Sequence, residues 1–80
     1  MPIPDLIFRA TLDAPAWYHV GRVFTQVGDP ACACAALRHA LTLDSAHAPS
    51  LLALGNLMFD CGRFELALEY FDRFSRMRER

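Results

Sequence analysis

The stretch Trp17-Tyr18-His19-Val20-Gly21-Arg22-Val23-Phe24 returns 34 residues later as Leu51-Leu52-Ala53-Leu54-Gly55-Asn56-Leu57-Met58. Gly21 falls on Gly55, and Trp17, Val20 and Phe24 fall on Leu51, Leu54 and Met58, so apolar positions stay apolar. The same shift carries Ala14 to Ala48, Pro15 to Pro49, Gly28 to Gly62, Ala33 to Ala67 and Leu37 to Phe71. All four glycines of the chain thereby fall into two pairs. A repeat of this length is the mark of a stacked helical array, in which one unit cannot bury its apolar face alone.

The local signals inside each unit are those of two helices joined by a tight turn. Asp13 is placed to cap a helix opening at Ala14-Pro15, where proline gives up only an N–H that would be orphaned anyway. Trp17, Val20, Gly21 and Phe24 then share one face at helical spacing, and Gly28 stops the helix. Asp29-Pro30 starts a second helix, which carries Ala33, Leu37, Ala40 and Leu41 on one face and ends near Leu43-Asp44-Ser45. The next unit repeats the scheme, with Leu51, Leu54, Gly55 and Met58 on the third helix and a stop at Gly62. A fourth helix begins near Arg63 or Phe64, with Ala67, Phe71, Phe74 and Met77 on its face. Its acids lie early and its arginines late, which suits the helix dipole. Glu69–Arg73 and Asp72–Arg76 stand four apart in the favourable order, worth about 0.2–0.5 kcal/mol each. Gly21 and Gly55 sit mid-helix, where glycine costs about 1 kcal/mol against alanine. Two such losses at equivalent places predict close helix–helix contact, with Ala33 and Ala67 as the matching small residues.

Eighty residues make one small body, for which a core supplies only about 3–5 kcal/mol without staples or a partner. Just over half of the residues are apolar, more than so small a body readily hides. A net charge of −1 gives no electrostatic footprint for nucleic acid or an anionic membrane. Every basic residue is arginine, which together with abundant alanine and leucine points by association to a GC-rich bacterial genome. Met1-Pro2-Ile3-Pro4-Asp5 lacks the basic start and long apolar run of a signal peptide. No apolar stretch reaches the roughly 18 residues of a membrane span, and a cytoplasmic location is expected. Three cysteines make no disulfide framework, and without C-x-x-C or H-x-x-x-H spacing they make no case for a metal with His19, His39 or His47.

The pattern resembles the tetratricopeptide repeat, W-x-x-L-G-x-x-Y followed by A-x-x-x-F. The first unit supplies Trp17-x-x-Val20-Gly21-x-x-Phe24, Gly28-Asp29, Ala33-x-x-x-Leu37, Ala40 and Leu43-Asp44. The second supplies Leu51-x-x-Leu54-Gly55-x-x-Met58, Gly62-Arg63-Phe64 and Ala67-x-x-x-Phe71. The resemblance implies an all-α fold of two helix-turn-helix hairpins over residues 14–80, with repeats at 14–47 and 48–80 and a lead-in at 1–13. Ser45 stands where the family has its closing proline, which leaves the turn between repeats less rigidly set. Pro30 replaces the usual turn aromatic. Phe74 takes the place of Ala40, where a small residue normally admits the next repeat. Leu6, Ile7, Phe8 and Leu12 are suited to a strap over the first repeat, and equally to docking on a partner.

No nucleophile elbow, phosphate loop, paired-carboxylate motif or metalloprotease signature is present, so neither an enzyme nor a cofactor is expected. In the family the first helix of each pair lines a concave groove. Here that places Tyr18, His19, Arg22 and Thr25 opposite Leu52, Asn56 and Phe59, with Tyr18, Leu52 and Phe59 as the apolar floor and Arg22 and Asn56 as polar handles. Such a groove takes an extended peptide or an amphipathic helix of a partner protein, and a homodimer or the strap is the alternative cover. The lysine–asparagine clamp by which some members grip chaperone tails is missing, since there is no lysine and only Asn56 matches. The function implied is an interaction adaptor, in a narrower version a bacterial chaperone of the type III secretion class. The alternative is a self-assembling structural protein, homodimer or filament, with Phe71 and Phe74 on the self-association face.

Overall fold

The computed structural model describes residues 12–78, and these form four α-helices. They are α1 (Ala14–Gln26), α2 (Pro30–Leu43), α3 (Ala48–Asp60) and α4 (Phe64–Arg78). The expected strap residues Leu6, Ile7 and Phe8 lie outside the described residues. Each helix boundary has a local cause. The Asp13 carboxylate accepts a hydrogen bond from the Ala16 N–H at 3.0 Å, and the Asp29 carboxylate accepts one from the Cys32 N–H at 3.1 Å. Both α1 and α3 end on a glycine in the left-handed region, Gly28 at φ 83° and Gly62 at φ 79°. At the first, the Asp29 N–H returns to the Phe24 carbonyl at 2.9 Å and the Gly28 N–H to Thr25 at 3.2 Å. At the second, the Arg63 N–H returns to Met58 at 2.8 Å and the Gly62 N–H to Phe59 at 3.0 Å. Both turns are therefore Schellman motifs, which satisfy carbonyls that the helix end leaves bare.

The helices pair as α1 with α2 and α3 with α4, and the two hairpins join along α2 and α3. Gly21 and Gly55 set the spacing within each hairpin. A Cβ on Gly21 would lie 2.6 Å from Leu37 Cγ and 3.4 Å from the Ala33 carbonyl oxygen. One on Gly55 would lie 2.5 Å from the Phe71 ring. The space left by each glycine is thus filled by a side chain of the facing helix, Leu37 in the first hairpin and Phe71 in the second. Ala33 and Ala67 are buried beside them. One core cluster runs through both hairpins and includes Leu37, Leu41, Leu51, Leu54 and Met58.

The turn between hairpins is held without the family's proline. The Asp44 carboxylate accepts from the Ala46 N–H at 3.1 Å, and the Asp44 carbonyl accepts from the His47 N–H at 3.0 Å. The Arg73 guanidinium donates to the Ser45 carbonyl at 3.2 Å and so ties α4 to this turn. That contact corrects the expected Glu69–Arg73 pair. Arg73 reaches instead to a carbonyl and lies 6.0 Å from the Tyr70 ring, while Asp72–Arg76 does form, at 3.1 Å. Pairing with an exposed carboxylate is screened by water and worth little, so a carbonyl within reach of the guanidinium competes with it.

Two outcomes follow for stability. Gly21→Ala gains about 1 kcal/mol in helix propensity but drives a methyl into buried Leu37, and overpacking of this kind costs roughly 1–3 kcal/mol. Thermal unfolding followed by circular dichroism should show a lowered Tm for Gly21→Ala and a smaller loss for Gly55→Ala, because the half-exposed Phe71 ring has room to turn; a raised Tm for Gly21→Ala contradicts the packing account. The Cys32 thiol and then the Cys32 N–H hold the Asp29 carboxyl below the usual carboxylate range. A depressed folded pKa means that the cap's stabilisation is present above the ordinary carboxylate value and is lost as pH falls through the folded one. Asp29→Asn keeps the cap without the titration, so its stability should fall less in acid than that of the wild type, and identical acid profiles would remove this role.

Candidate functional site

The two first-of-pair helices, α1 and α3, carry the walls of an open groove of about 590 Å³. Alpha-helical spacing puts Tyr18, Arg22, Thr25 and Gln26 along the α1 wall, and Pro49, Leu52, Ala53, Asn56 and Asp60 along the α3 wall. Leu57 and Phe74 also line it. Of the residues expected here, Tyr18, Arg22, Thr25, Leu52 and Asn56 are therefore brought together. His19 and Phe59 are not among the lining residues. His19 is exposed and stands against the Tyr18 ring at 5.3 Å. Phe59 turns toward the second hairpin's tight turn, where its ring meets Phe64 edge-on at 5.2 Å.

The groove has an ordered aromatic at its centre. The Tyr18 ring is half-buried, with the His47 ring edge-on at 5.7 Å and the Arg22 guanidinium 5.9 Å from its centroid. A cation over the ring face is attracted by its quadrupole, which holds Arg22 beside Tyr18 while leaving its donors free toward the groove. The Thr25 hydroxyl donates to the Gly21 carbonyl at 2.9 Å, so its proton is already engaged by its own helix. Asn56 and Asp60 are exposed on the facing helix. The groove thus presents an apolar middle at Tyr18 and Leu52, a cation on one wall and an amide and a carboxylate on the other. Those groups suit a main chain with alternating side chains, or one face of a helix.

Phe74 is the residue of this groove that sequence reasoning placed elsewhere. It was expected, with Phe71, on a self-association face. In the structure both rings are half-buried: Phe71 lies over Gly55, and Phe74 packs on the core, lines the groove and has the Arg78 guanidinium 5.8 Å from its ring. The substitution of Ala40 by Phe74 across the 34-residue shift is the signal that marks this ring, because a ring is long enough to reach where a methyl is not.

The side chains with nucleophile or base chemistry are differently employed. His47 Nδ1 lies 2.7 Å from Ser50 Oγ, but Ser50 is wholly buried in the first turn of α3, out of reach of a substrate. Asp29, by hydrogen bonding and charge, pushes the Cys32 thiol up, away from the thiolate that reactivity needs. Among the described residues, no group of three or more His, Cys, Asp or Glu side chains is arranged to hold a metal ion, and no helix is long and apolar enough to cross a membrane.

The first hairpin, residues 14–47, matches the family model of the tetratricopeptide repeat. Residues 14–47 are a tetratricopeptide repeat. The second hairpin repeats the proline in the first turn, the glycine–side-chain contact (Gly55–Phe71) and the Schellman turn, without the side-chain cap that Asp13 gives the first. No curated protein matches the chain. Tetratricopeptide repeats serve as protein–protein interaction modules, and the family is in general not enzymatic. His47 and Ser50 are joined within this framework, so Ser50→Ala should remove the hydroxyl that pairs with the half-buried His47 ring and lower Tm by an amount matching roughly 0.5–1.5 kcal/mol. Unchanged stability on thermal unfolding would show that the pair does nothing for the α3 terminus.

Proposed function

We propose that residues 14–80 form a two-repeat unit, 14–47 and 48–80, that binds a peptide or an amphipathic helix of a partner protein in the α1–α3 groove. The observation that carries this reading is the convergence of Tyr18, Arg22, Leu52 and Asn56 on one open groove. Tyr18 is a rigid aromatic already held by its neighbours, and aromatic and arginine side chains are the usual anchors of protein interfaces. Arg22 on one wall and Asp60 on the other give a bound chain a direction. In its narrower form the client is an apolar segment of an exported protein, and the chain is a bacterial secretion-type chaperone. Co-expression with such a client should then raise the yield of soluble chain.

Selection of ligands from a displayed random-peptide library tests the groove directly. Chemical shifts of labelled protein should move first at Tyr18, Arg22, Leu52 and Asn56. Tyr18→Ala and Arg22→Ala should each weaken the selected peptides by at least about 10-fold, roughly 1.4 kcal/mol, with helicity unchanged. Shifts confined to the outer faces of α2 and α4, with affinity indifferent to both substitutions, would move the site out of this groove.

A further inference from the structure

The second-of-pair helices α2 and α4 both pack on α3 and, among the described residues, do not pack on one another. A cleft of about 690 Å³ opens between them. Helical spacing makes its walls. Ala31, Cys34 and Arg38 recur at steps of three and four along α2, and Arg63, Leu66 and Tyr70 recur at the same steps from the second tight turn along α4. Met58 and Cys61, three apart at the end of α3, complete the lining. No lining residue is shared with the α1–α3 groove.

The charged groups lining this cleft are arginines alone, in a chain whose net charge is −1. The other described arginines are engaged. Arg73 bonds to the Ser45 carbonyl, Arg76 pairs with Asp72, and Arg22 and Arg78 lie over the Tyr18 and Phe74 rings. Arg38 and Arg63 are exposed and have no such partner among the described residues, and both line the cleft. For Arg38 the cause is local: the positions three and four away hold Cys34, Ala35, Leu41 and Thr42, so its own helix has no acid to offer. Near Arg63, Asp60 lines the α1–α3 groove instead, and Glu65 and Glu69 are off the lining. The rest of the cleft is mostly apolar. Met58 is buried, Cys34 and Tyr70 are half-buried against the core, and Leu66 is 37% exposed.

We propose that the α2–α4 cleft is a second binding site, and that its occupant is an acidic segment of a partner protein in which an apolar side chain lies between carboxylates. Charge complementarity carries the assignment. Two unengaged guanidiniums, each a planar fork that takes a carboxylate through two parallel N–H···O bonds, share one cleft with an apolar lining. Met58 within that lining adapts to apolar side chains of different shape. A basic segment is repelled there, and an uncharged one gains nothing from the arginines. The site does not depend on the α1–α3 groove, so either can fail without the other.

The test selects a displayed random-peptide library on the full wild-type chain and counter-selects it on the chain carrying both Arg38→Gln and Arg63→Gln. Peptides kept by the wild type alone should hold carboxylates on both sides of an apolar residue. Made synthetically, they should bind Arg38→Gln and Arg63→Gln each at least about 10-fold more weakly than the wild type, and their binding should weaken with added salt. They should slow the alkylation of Cys61, which lines the cleft, and not of Cys32, which does not. Arg22→Gln, in the other groove, should leave their affinity unchanged. Should Arg38→Gln lose helicity, Arg38→Ala takes its place. The proposal is overturned if no peptide distinguishes the wild type from the double variant, or if those that do carry no acid. It is overturned equally if Cys61 is already shielded without peptide, which would give the cleft to the chain's own residues. A wild type whose mass doubles with concentration, and does so no longer in Arg38→Gln, would give it to a second copy and also overturn the proposal.

Discussion

The third helix is the constraint on which the rest of this structure depends. It touches all three of the others, and Leu51 and Leu54 on its face are wholly buried. Among the described residues, each of the other helices packs on fewer partners than α3 does, and a single helical hairpin of this size has too little apolar surface to fold on its own. Burial of α3 is therefore what converts two marginal hairpins into one core. The close approach at Gly55 serves the same end, since the Phe71 ring of α4 fills the space that a side chain there would take. Arg73 adds a polar tie between α4 and the turn that delivers α3.

The groove is a by-product of the same stacking. Because α1 and α3 are equivalent under the 34-residue shift, their free faces fall side by side, and Tyr18 and Leu52 occupy one register in the two repeats. Arg22, Leu52 and Asn56 on that face are exposed, which leaves their residue types open to selection for a ligand. Part of the apolar fraction that is high for so small a chain is exposed among the described residues, at Val23 and Leu68, whose equivalents Leu57 and Cys34 are covered.

What was legible in the sequence is what local chemistry determines. Asp13, Asp29, Gly28 and Gly62 act within four or five residues of themselves, and each helix boundary they imply is where the structure has it. Periodicity also found the buried face of α2 at Ala33, Leu37, Ala40 and Leu41. Long side chains were harder to place, because their ends lie several ångströms from the backbone position that the period fixes. Phe59 was assigned to the groove by its helical angle, yet its ring finds Phe64 across the turn. Phe74 was assigned to an end face, and its ring reaches the groove as well. Arg73 was paired with Glu69 by spacing and bonds instead to Ser45, 28 residues away. The glycines were read as close contact between helices, but that the contact is made by Leu37 and Phe71 depends on rotamers that no spacing encodes.

Residue-resolved hydrogen exchange tests the central place of α3 most directly. If burial of α3 makes the two hairpins one core, the amides of Leu51 through Met58 should exchange slowest of all. The slowest amides of α2 and α4 should approach the same opening free energy, since neither hairpin survives the loss of the other. Exchange in which one hairpin opens at much lower free energy while the other stays fully protected would contradict this, and would make the molecule two independent hairpins joined by a turn.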